Sequence, residues 1–539
     1  MPQAFANSAV DSIAQRHRIR TLLAFVLVQG ILYCLALNLL PMWGDEAFTL
    51  LVSAQPVSRI LATVGNDIHP PLYFLLAHWW RELPLDMEPL LQLRLLSVVF
   101  AILTTIFVER RWLRDASGEL RDWFLLLWTF SPCLLLFSRM ARSYSMQVFL
   151  SVVAIWCAIR FSENPGARKS LLAFVASMAA LLYTHYAPGI AIWTGANILL
   201  LRRIRGGAKG AFWKALFLPN ALILIAYLPW IVTLAGALHR WGDKSVYSLT
   251  GNPWLEQGVK LGYWFYSFAF GESIPIWLLP VTALLALPCL WLFLAGAREL
   301  RSWVLPAACA ALIAYLGATR WVSYPFMGAR LLFFLPLFLM AVASGIVSKR
   351  KVGLVLGVLL FGANLAGVWS YFGGRDILNI GYLAPHQKIA REIVLHSNPA
   401  DTVVWVDGLN IDAGVLEYYL PPTFRVRLLE TSESVAAAKA ELESPGIRHV
   451  WFIRNPHDIS PGHVFGKLED EMKTRWYNHS LHPYVPFSQT HLAILHGLAA
   501  LHREEWRNPP RYVYEVWEFR RPETITSDTT RHSDELSGH

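Results

Sequence analysis

Charge and cysteine are both scarce in this chain. Of its 539 residues only 16% are charged, against about 25% in an ordinary soluble domain. The five cysteines, Cys34, Cys133, Cys157, Cys289 and Cys309, all lie in or beside apolar runs, so neither a disulfide framework nor a thiolate zinc cluster is indicated. No Gly-x-Gly-x-x-Gly follows a strand-like stretch in the C-terminal third, which removes the sequence basis for a dinucleotide site there. There is no internal repeat and no low-complexity tract. The formal net charge of +9 does not mark a nucleic-acid partner, because the arginines and lysines sit between apolar runs and do not share one soluble face.

What the chain has in place of charge is apolar length. Hydrophobic residues make up 55%, beyond the roughly 45 to 50% of soluble domains. They cluster in runs of roughly 17 to 22 residues, enough to cross about 30 Å of hydrocarbon. Thr21 to Leu40, Leu93 to Val108 and Val352 to Phe372 are examples, and 23 tryptophans suit the water-lipid boundary. The first run ends in Pro41-Met42-Trp43-Gly44 and not in a small-residue cleavage site, so it is kept as a span.

Basic clusters in short loops resist translocation and so set orientation. Arg16, Arg18 and Arg20 precede the first span; Arg110, Arg111 and Arg114 follow the second; Arg160, Arg168 and Lys169 come next. Arg202, Arg203, Arg205 and Lys209, then Arg298 and Arg301, then Lys349, Arg350 and Lys351 continue the alternation at every second loop. The pattern predicts a polytopic α-helical membrane protein with about eleven spans, near 21–40, 93–113, 121–138, 144–161, 170–185, 187–201, 213–235, 273–295, 303–318, 330–347 and 352–372. The N-terminus is then cytoplasmic, residues 1–373 form the membrane domain, and everything after 373 is outside a bacterial inner membrane. Three outside segments are long: 41–92, 236–272 and the stretch after 373. In the first, the apolar stretch from Ile68 to Trp80 is too short to cross, and its prolines suit the first turn of a helix lying along the interface.

After residue 373 the composition becomes that of a soluble protein. Asp401 to Val406 and His449 to Ile453 read as buried strands around a helical Ser434 to Ala440, with a last strand from Tyr512 to Phe519, giving an extracytoplasmic α/β domain over 374–520. Residues 521–539 are polar and read as a disordered tail. Asn478-His479-Ser480 fits a glycosylation sequon, a weak signal by itself.

The residues that can do chemistry lie in the first outside segment. Asp45 and Glu46 follow the first span at once, and Asp67-Ile68-His69-Pro70-Pro71 adds a third carboxylate and an imidazole beside a rigid proline pair. The plain alternative is a solvated acidic loop near headgroups. An acidic pair followed by Asp-x-His-Pro-Pro resembles the protein O-mannosyltransferase group. More broadly the chain resembles bacterial membrane glycosyltransferases of family 39 with the GT-C fold, related to aminoarabinose-type lipid A transferases. Ser138-Arg139-Met140-Ala141-Arg142-Ser143-Tyr144, Tyr183-Thr184-His185-Tyr186 and Gly328-Ala329-Arg330-Leu331-Leu332 extend the likeness. Leu72-Tyr73-Phe74 stands where the protein mannosyltransferases tend to have Gly-Lys after the leucine, a departure that weighs against a protein acceptor.

The resemblance implies a polyprenyl-phosphate sugar donor, transfer outside the cytoplasm with inversion to a glycan, glycolipid or lipid A, and a first-loop aspartate as base, which maps onto Asp45. Glu46 would hold the acceptor or share the base role. The residues argue in the same direction. A sugar hydroxyl gains about 10² to 10⁴ in rate when a carboxylate takes its proton, and a phosphate ester leaves as an anion that needs cations more than an acid. Arg142, Arg330, His185 and Tyr144 are the candidates for donor-phosphate contacts; Arg139 and Arg320 are expected equally often to snorkel to headgroups, and His185 to satisfy local hydrogen bonds. Asp67 and His69 are read as acceptor-binding or loop-organising. They are two ligand types for a divalent metal but not a metal site, and Asp67 as the N-cap of the helix after Pro71 is the structural alternative. The competing function is a transporter or lipid-linked sugar flippase, which calls for ionisable residues near span centres and inverted halves.

Overall fold

The computed structural model describes residues 2–204 (apart from 68), 213–241, 253–300, 328–454 (apart from 375, 379, 408–409, 430 and 445), 468, 472–473, 478–484 and 514–521. The chain divides into two units, a helical one made mainly of Met1–Leu40 and Asp45–Tyr382, and a second made mainly of Leu383–Phe487 with Leu492–His539.

The helical unit opens with α1 (Pro2–Cys34). Three short helices then occupy the first long loop: α2 (Gly44–Ser53), α3 (Val57–Asn66) and α4 (Leu72–Arg81). There follow α5 (Pro89–Phe107), α6 (Gly118–Thr129), α7 (Pro132–Ser138), α8 (Tyr144–Glu163), α9 (Arg168–Leu182) and α10 (Tyr186–Ile204). After them come α11 (Leu218–Trp241), α12 (Pro253–Phe270), α13 (Leu279–Glu299), α14 (Leu335–Ser348) and α15 (Arg350–Phe372). Among the described residues seven helices are long and apolar enough to cross a membrane, or eight if α6 and α7 count as one span bent by 52°. The bend has a local cause: Pro132 has no N–H to continue the ladder of α6 and instead opens α7, with the Ser131 hydroxyl accepting from Leu134 N–H. Each span expected from the sequence falls on a helix except 303–318, which lies outside the described residues.

The unit has a clear inside and outside. Nearly all residues of the span Gly328–Ser348 are buried within the unit, whereas α1 and α13 bury little. Leu23, Leu27 and Ile31 on α1, Leu284 and Leu287 on α13, and Val355 and Val358 on α15 are exposed, an apolar surface of the kind that faces lipid. Helix α12 lies in the expected outside segment 236–272, yet it packs against α7, α13 and α15. Its Glu256, Gln257 and Lys260 lower its mean hydropathy, which hides it from a search for apolar runs. The units part at residue 382 and not at 373 as the composition shift suggests. The segment after α15 returns to the helical unit, where Ser273 bridges Ile377 and Leu378 N–H donates to Glu272 O at 2.7 Å.

Among the described residues the second unit holds a five-stranded sheet in the order β2-β1-β3-β5-β4, with β1 (Thr402–Asp407), β2 (Arg425–Leu428), β3 (His449–Arg454), β4 (Asn478–Tyr484) and β5 (Tyr514–Arg520). β1 pairs parallel with β2 and β3, and β5 pairs antiparallel with β3 and β4. Strand residues alternate between two cores. Val403, Trp405, Val450 and Phe452 pack with Val435, Ala438 and Leu442 of α18 (Ser432–Glu443). Val404, Val406, Trp451 and Ile453 pack with Ile389 and Ile393 of α16 (His386–His396) and Leu416 of α17 (Asn410–Tyr419). A sheet covered on both faces explains why β1 and β3 read as continuous apolar runs. The sequon asparagine, Asn478, begins β4. The tail from 522 lies outside the described residues.

Candidate active site

Asp45 and Glu46 are the second and third residues of α2. Adjacent residues on a helix point about 100° apart, so the pair cannot present two carboxylates to one place. Glu46 turns inward and is fully buried. Arg94 of α5 meets it with a two-pronged contact, Nε to Oε1 at 2.8 Å and Nη2 to Oε2 at 2.7 Å. The Ala141 N–H adds a third bond to Oε1 at 2.8 Å, while Arg94 Nη1 donates to the carbonyls of Leu37 and Leu40 at 2.9 and 3.0 Å. One carboxylate thus ties α2, α5, the end of the first span and the turn before α8 together.

That turn carries Arg142. The Ser97 hydroxyl of α5 donates to Met140 O at 2.6 Å and faces Arg142 O at 3.3 Å, fixing the backbone on the other side from Ala141. The Arg142 guanidinium then sits among the candidates. Nη2 is 3.5 Å from Asp45 Oδ2 and 3.2 Å from His69 Nε2. Nη1 donates to Asp45 O at 3.3 Å and to Thr49 Oγ1 at 3.4 Å. Phe74 of α4 places its ring 5.9 Å from the guanidinium carbon and meets His69 edge-on at 6.0 Å, while Phe48 lies 5.4 Å from the imidazole and 5.6 Å from Phe74, so that the three rings form one cluster. Asp45 accepts the Tyr144 hydroxyl at 3.4 Å and keeps its side chain 39% exposed.

His69 links this group to Asp67. Its Nδ1 lies 2.8 Å from Asp67 O and 3.1 Å from Asp67 Oδ2. Asp67 closes α3 and does not cap α4, whose N-cap is Pro71 without a side-chain bond. The capping role considered from the sequence is therefore corrected: its carboxylate is turned to the imidazole. Among the described residues no group of three or more His, Cys, Asp or Glu is placed to hold a metal ion.

Arg330 comes from the turn Gly328–Phe334 before α14 and lies within electrostatic reach of Tyr144 and His185. His185, between α9 and α10, is in turn within reach of His69 and Arg142, and its buried Nδ1 has no hydrogen-bond partner among the described residues. Asp45, Asp67, His69, Arg142, Tyr144, His185 and Arg330 thus gather around one place, and Glu46 alone points away from it. Arg139 is a different kind of residue. It is buried, donates to the carbonyls of Leu32 and Ala36, and lies 5.1 and 5.2 Å from the rings of Tyr371 and Phe372. Arg320 lies outside the described residues.

Sequence reasoning missed Arg94, although a lone arginine in the apolar run Pro89–Phe107 announces an anionic partner. It also missed Phe74, whose place beside Arg142 depends on how α4 folds back, a relation that no local pattern carries.

No protein-family model matches the chain, and no curated protein matches it. Solved structures do. The chain is similar to ArnT from Cupriavidus metallidurans bound to undecaprenyl phosphate, at 14% identity and a TM-score of 0.53, over 92% of this chain and 97% of that one. The apo state of the same protein gives 13% identity and a TM-score of 0.51 over the same shares. The archaeal oligosaccharyltransferase AglB from Archaeoglobus fulgidus, in complex with an inhibitory peptide and a dolichol-phosphate, is similar at 11% identity and a TM-score of 0.45, over 82% and 70%. At these identities the likeness is one of fold, and the chain has the GT-C fold that it shares with ArnT.

Proposed function

We propose that this protein transfers a sugar from a polyprenyl-phosphate donor to a glycan, glycolipid or lipid A acceptor outside the cytoplasm, with inversion and with Asp45 as the general base. The observation that carries the reading is the half-open Asp45 carboxylate set against Arg142 and Tyr144, with Arg330 in electrostatic reach of Tyr144 and His185. The contacts at 3.5 and 3.4 Å are long for hydrogen bonds. A phosphate that engages Arg142 bidentately draws the guanidinium from Asp45 and leaves that carboxylate to accept the proton of the incoming hydroxyl. The leaving lipid phosphate then carries its charge onto Arg142 and Arg330. Glu46 serves as a positioning residue, because both its oxygens are already engaged. The undecaprenyl phosphate bound to ArnT supports a lipid phosphate as the group these arginines meet.

Purified protein in vesicles, given a panel of radiolabelled polyprenyl-phosphate sugars and native membrane acceptors, tests the reading. Transfer by the wild type and its loss in Asp45→Asn are expected. Failure with every donor, accompanied by lipid-linked sugar crossing the bilayer, would instead establish the flippase.

A further inference from the structure

We propose that Glu272 and Gln147 are positioning residues that clamp the Gly328–Ala329–Arg330 turn at its Gly328 N–H and its Ala329 carbonyl and so aim Arg330 at the donor phosphate; this rests on the function proposed above. The turn offers two backbone groups to its surroundings, and each meets a fully buried side chain. Gln147, one turn along α8 from Tyr144, donates from Nε2 to Ala329 O at 2.8 Å. Glu272 Oε1 faces Gly328 N–H at 3.4 Å and accepts the Ser267 hydroxyl of α12 at 3.1 Å.

Glu272 is itself fixed. It follows Gly271, whose φ of +81° suits glycine and lets the chain turn sharply out of α12. Its carbonyl accepts Leu378 N–H at 2.7 Å. There is also no slack between the turn and Glu272. A Cβ added at Gly328 would lie 2.6 Å from Ser267 Oγ and 3.2 Å from Glu272 Oε1, so the glycine is what lets the backbone reach the carboxyl. A buried acid among apolar helices is costly unless it is bonded; here the side chains of Ser267 and Tyr263 hold it, and its remaining contact is the Gly328 N–H of the turn that carries Arg330. Glu272 does not touch the place where Asp45 and Arg142 meet. It acts through the turn, as a group supporting a binding residue commonly does.

The test is binding of undecaprenyl phosphate to the full-length protein in nanodiscs, with folding followed by thermal melting. Arg330→Ala weakens binding roughly tenfold, the loss of one charge-assisted contact. Glu272→Ala is expected to weaken it by a similar factor. The double variant is expected to be no weaker than Arg330→Ala alone, because a clamp has nothing left to position. Glu272→Gln keeps an acceptor for Gly328 N–H and Ser267 and is expected to bind within about twofold of wild type. If Glu272→Ala melts too low to assay, Gly328→Ala replaces it, with the same loss and the same non-additivity expected. Arg330→Ala weak with Glu272→Ala and Gly328→Ala unchanged, or with effects that multiply in the double variant, overturns the clamp and leaves the proposed function standing. No binding by the wild type, or no response to Arg142→Ala and Arg330→Ala, overturns the proposed function and the clamp with it.

Discussion

Arg142 Nη2 stands 3.2 Å from Nε2 of His69. A guanidinium can only donate, so the imidazole must accept at Nε2 and carry its proton on Nδ1, where Asp67 O and Oδ2 receive it. Asp67, His69 and Arg142 form a chain with a fixed direction, and the far end of that chain is Asp45. We expect nitrogen chemical shifts of labelled His69 to show the Nδ1–H tautomer. We expect His69→Ala to slow transfer roughly 10²-fold by loosening Arg142, with a change in the melting temperature of only a few degrees. Unchanged transfer would remove His69 from the chain.

The two acids of the sequence pair are expected to fail differently when changed. Asp45→Asn removes a group that is 39% exposed, so folding should hold while the rate falls about 10² to 10⁴-fold. Glu46→Gln leaves Arg94 charged in a buried pocket without its partner, a defect worth about 3 to 5 kcal/mol. Melting temperatures and single-turnover rates of the two variants, measured side by side, should therefore separate cleanly. A Glu46→Gln protein as stable as wild type would contradict the anchoring role.

How much of this was legible beforehand follows from the range of each signal. The spans were legible because apolar length is a property of consecutive residues, and α1, α5, α8, α14 and α15 fall where the runs are. Helix α12 was not, since three polar side chains break its run while its partners α7, α13 and α15 supply the packing. Strands β1 and β3 were visible as apolar runs; β2 and β4 were not, because edge strands need apolar residues on fewer sides. In the site, Asp45, His69 and Arg142 could be named from motifs. That Glu46 faces Arg94 follows from the start of α2 at Gly44, a boundary finer than sequence reading reaches.

Glycines at 296 and 345 bring α13 and α14 into backbone contact. A Cβ at Gly296 would lie 1.8 Å from Ala341 O, and one at Gly345 would lie 2.1 Å from Leu292 O. Such small-residue crossings take the place of the hydrophobic effect between helices in lipid. Gly296→Val is expected to push the two helices apart and to cost at least the roughly 1 to 3 kcal/mol of ordinary overpacking. A fall in melting temperature checks it, and a melting temperature equal to wild type would rule out the close crossing.

Glu272 gives the protein a pH dependence of its own. Burial raises this carboxyl from 4.5 to about 7, against the opposing bonds from Tyr263, Ser267 and Gly328 N–H. Cys133 and Tyr382 also face it and gain nothing from its charge. A group whose folded pKa is raised binds its proton more tightly in the folded chain. Its contribution to stability is complete below the unfolded value near 4.5 and is lost as pH rises through about 7. Glutamine at this position keeps the acceptor and cannot ionise. The melting temperature of the wild type relative to Glu272→Gln is therefore expected to fall steadily between about pH 5 and 7.5 and to level off above it. A difference that stays flat across that window would mean that Glu272 ionises in the folded protein as it does in the unfolded chain.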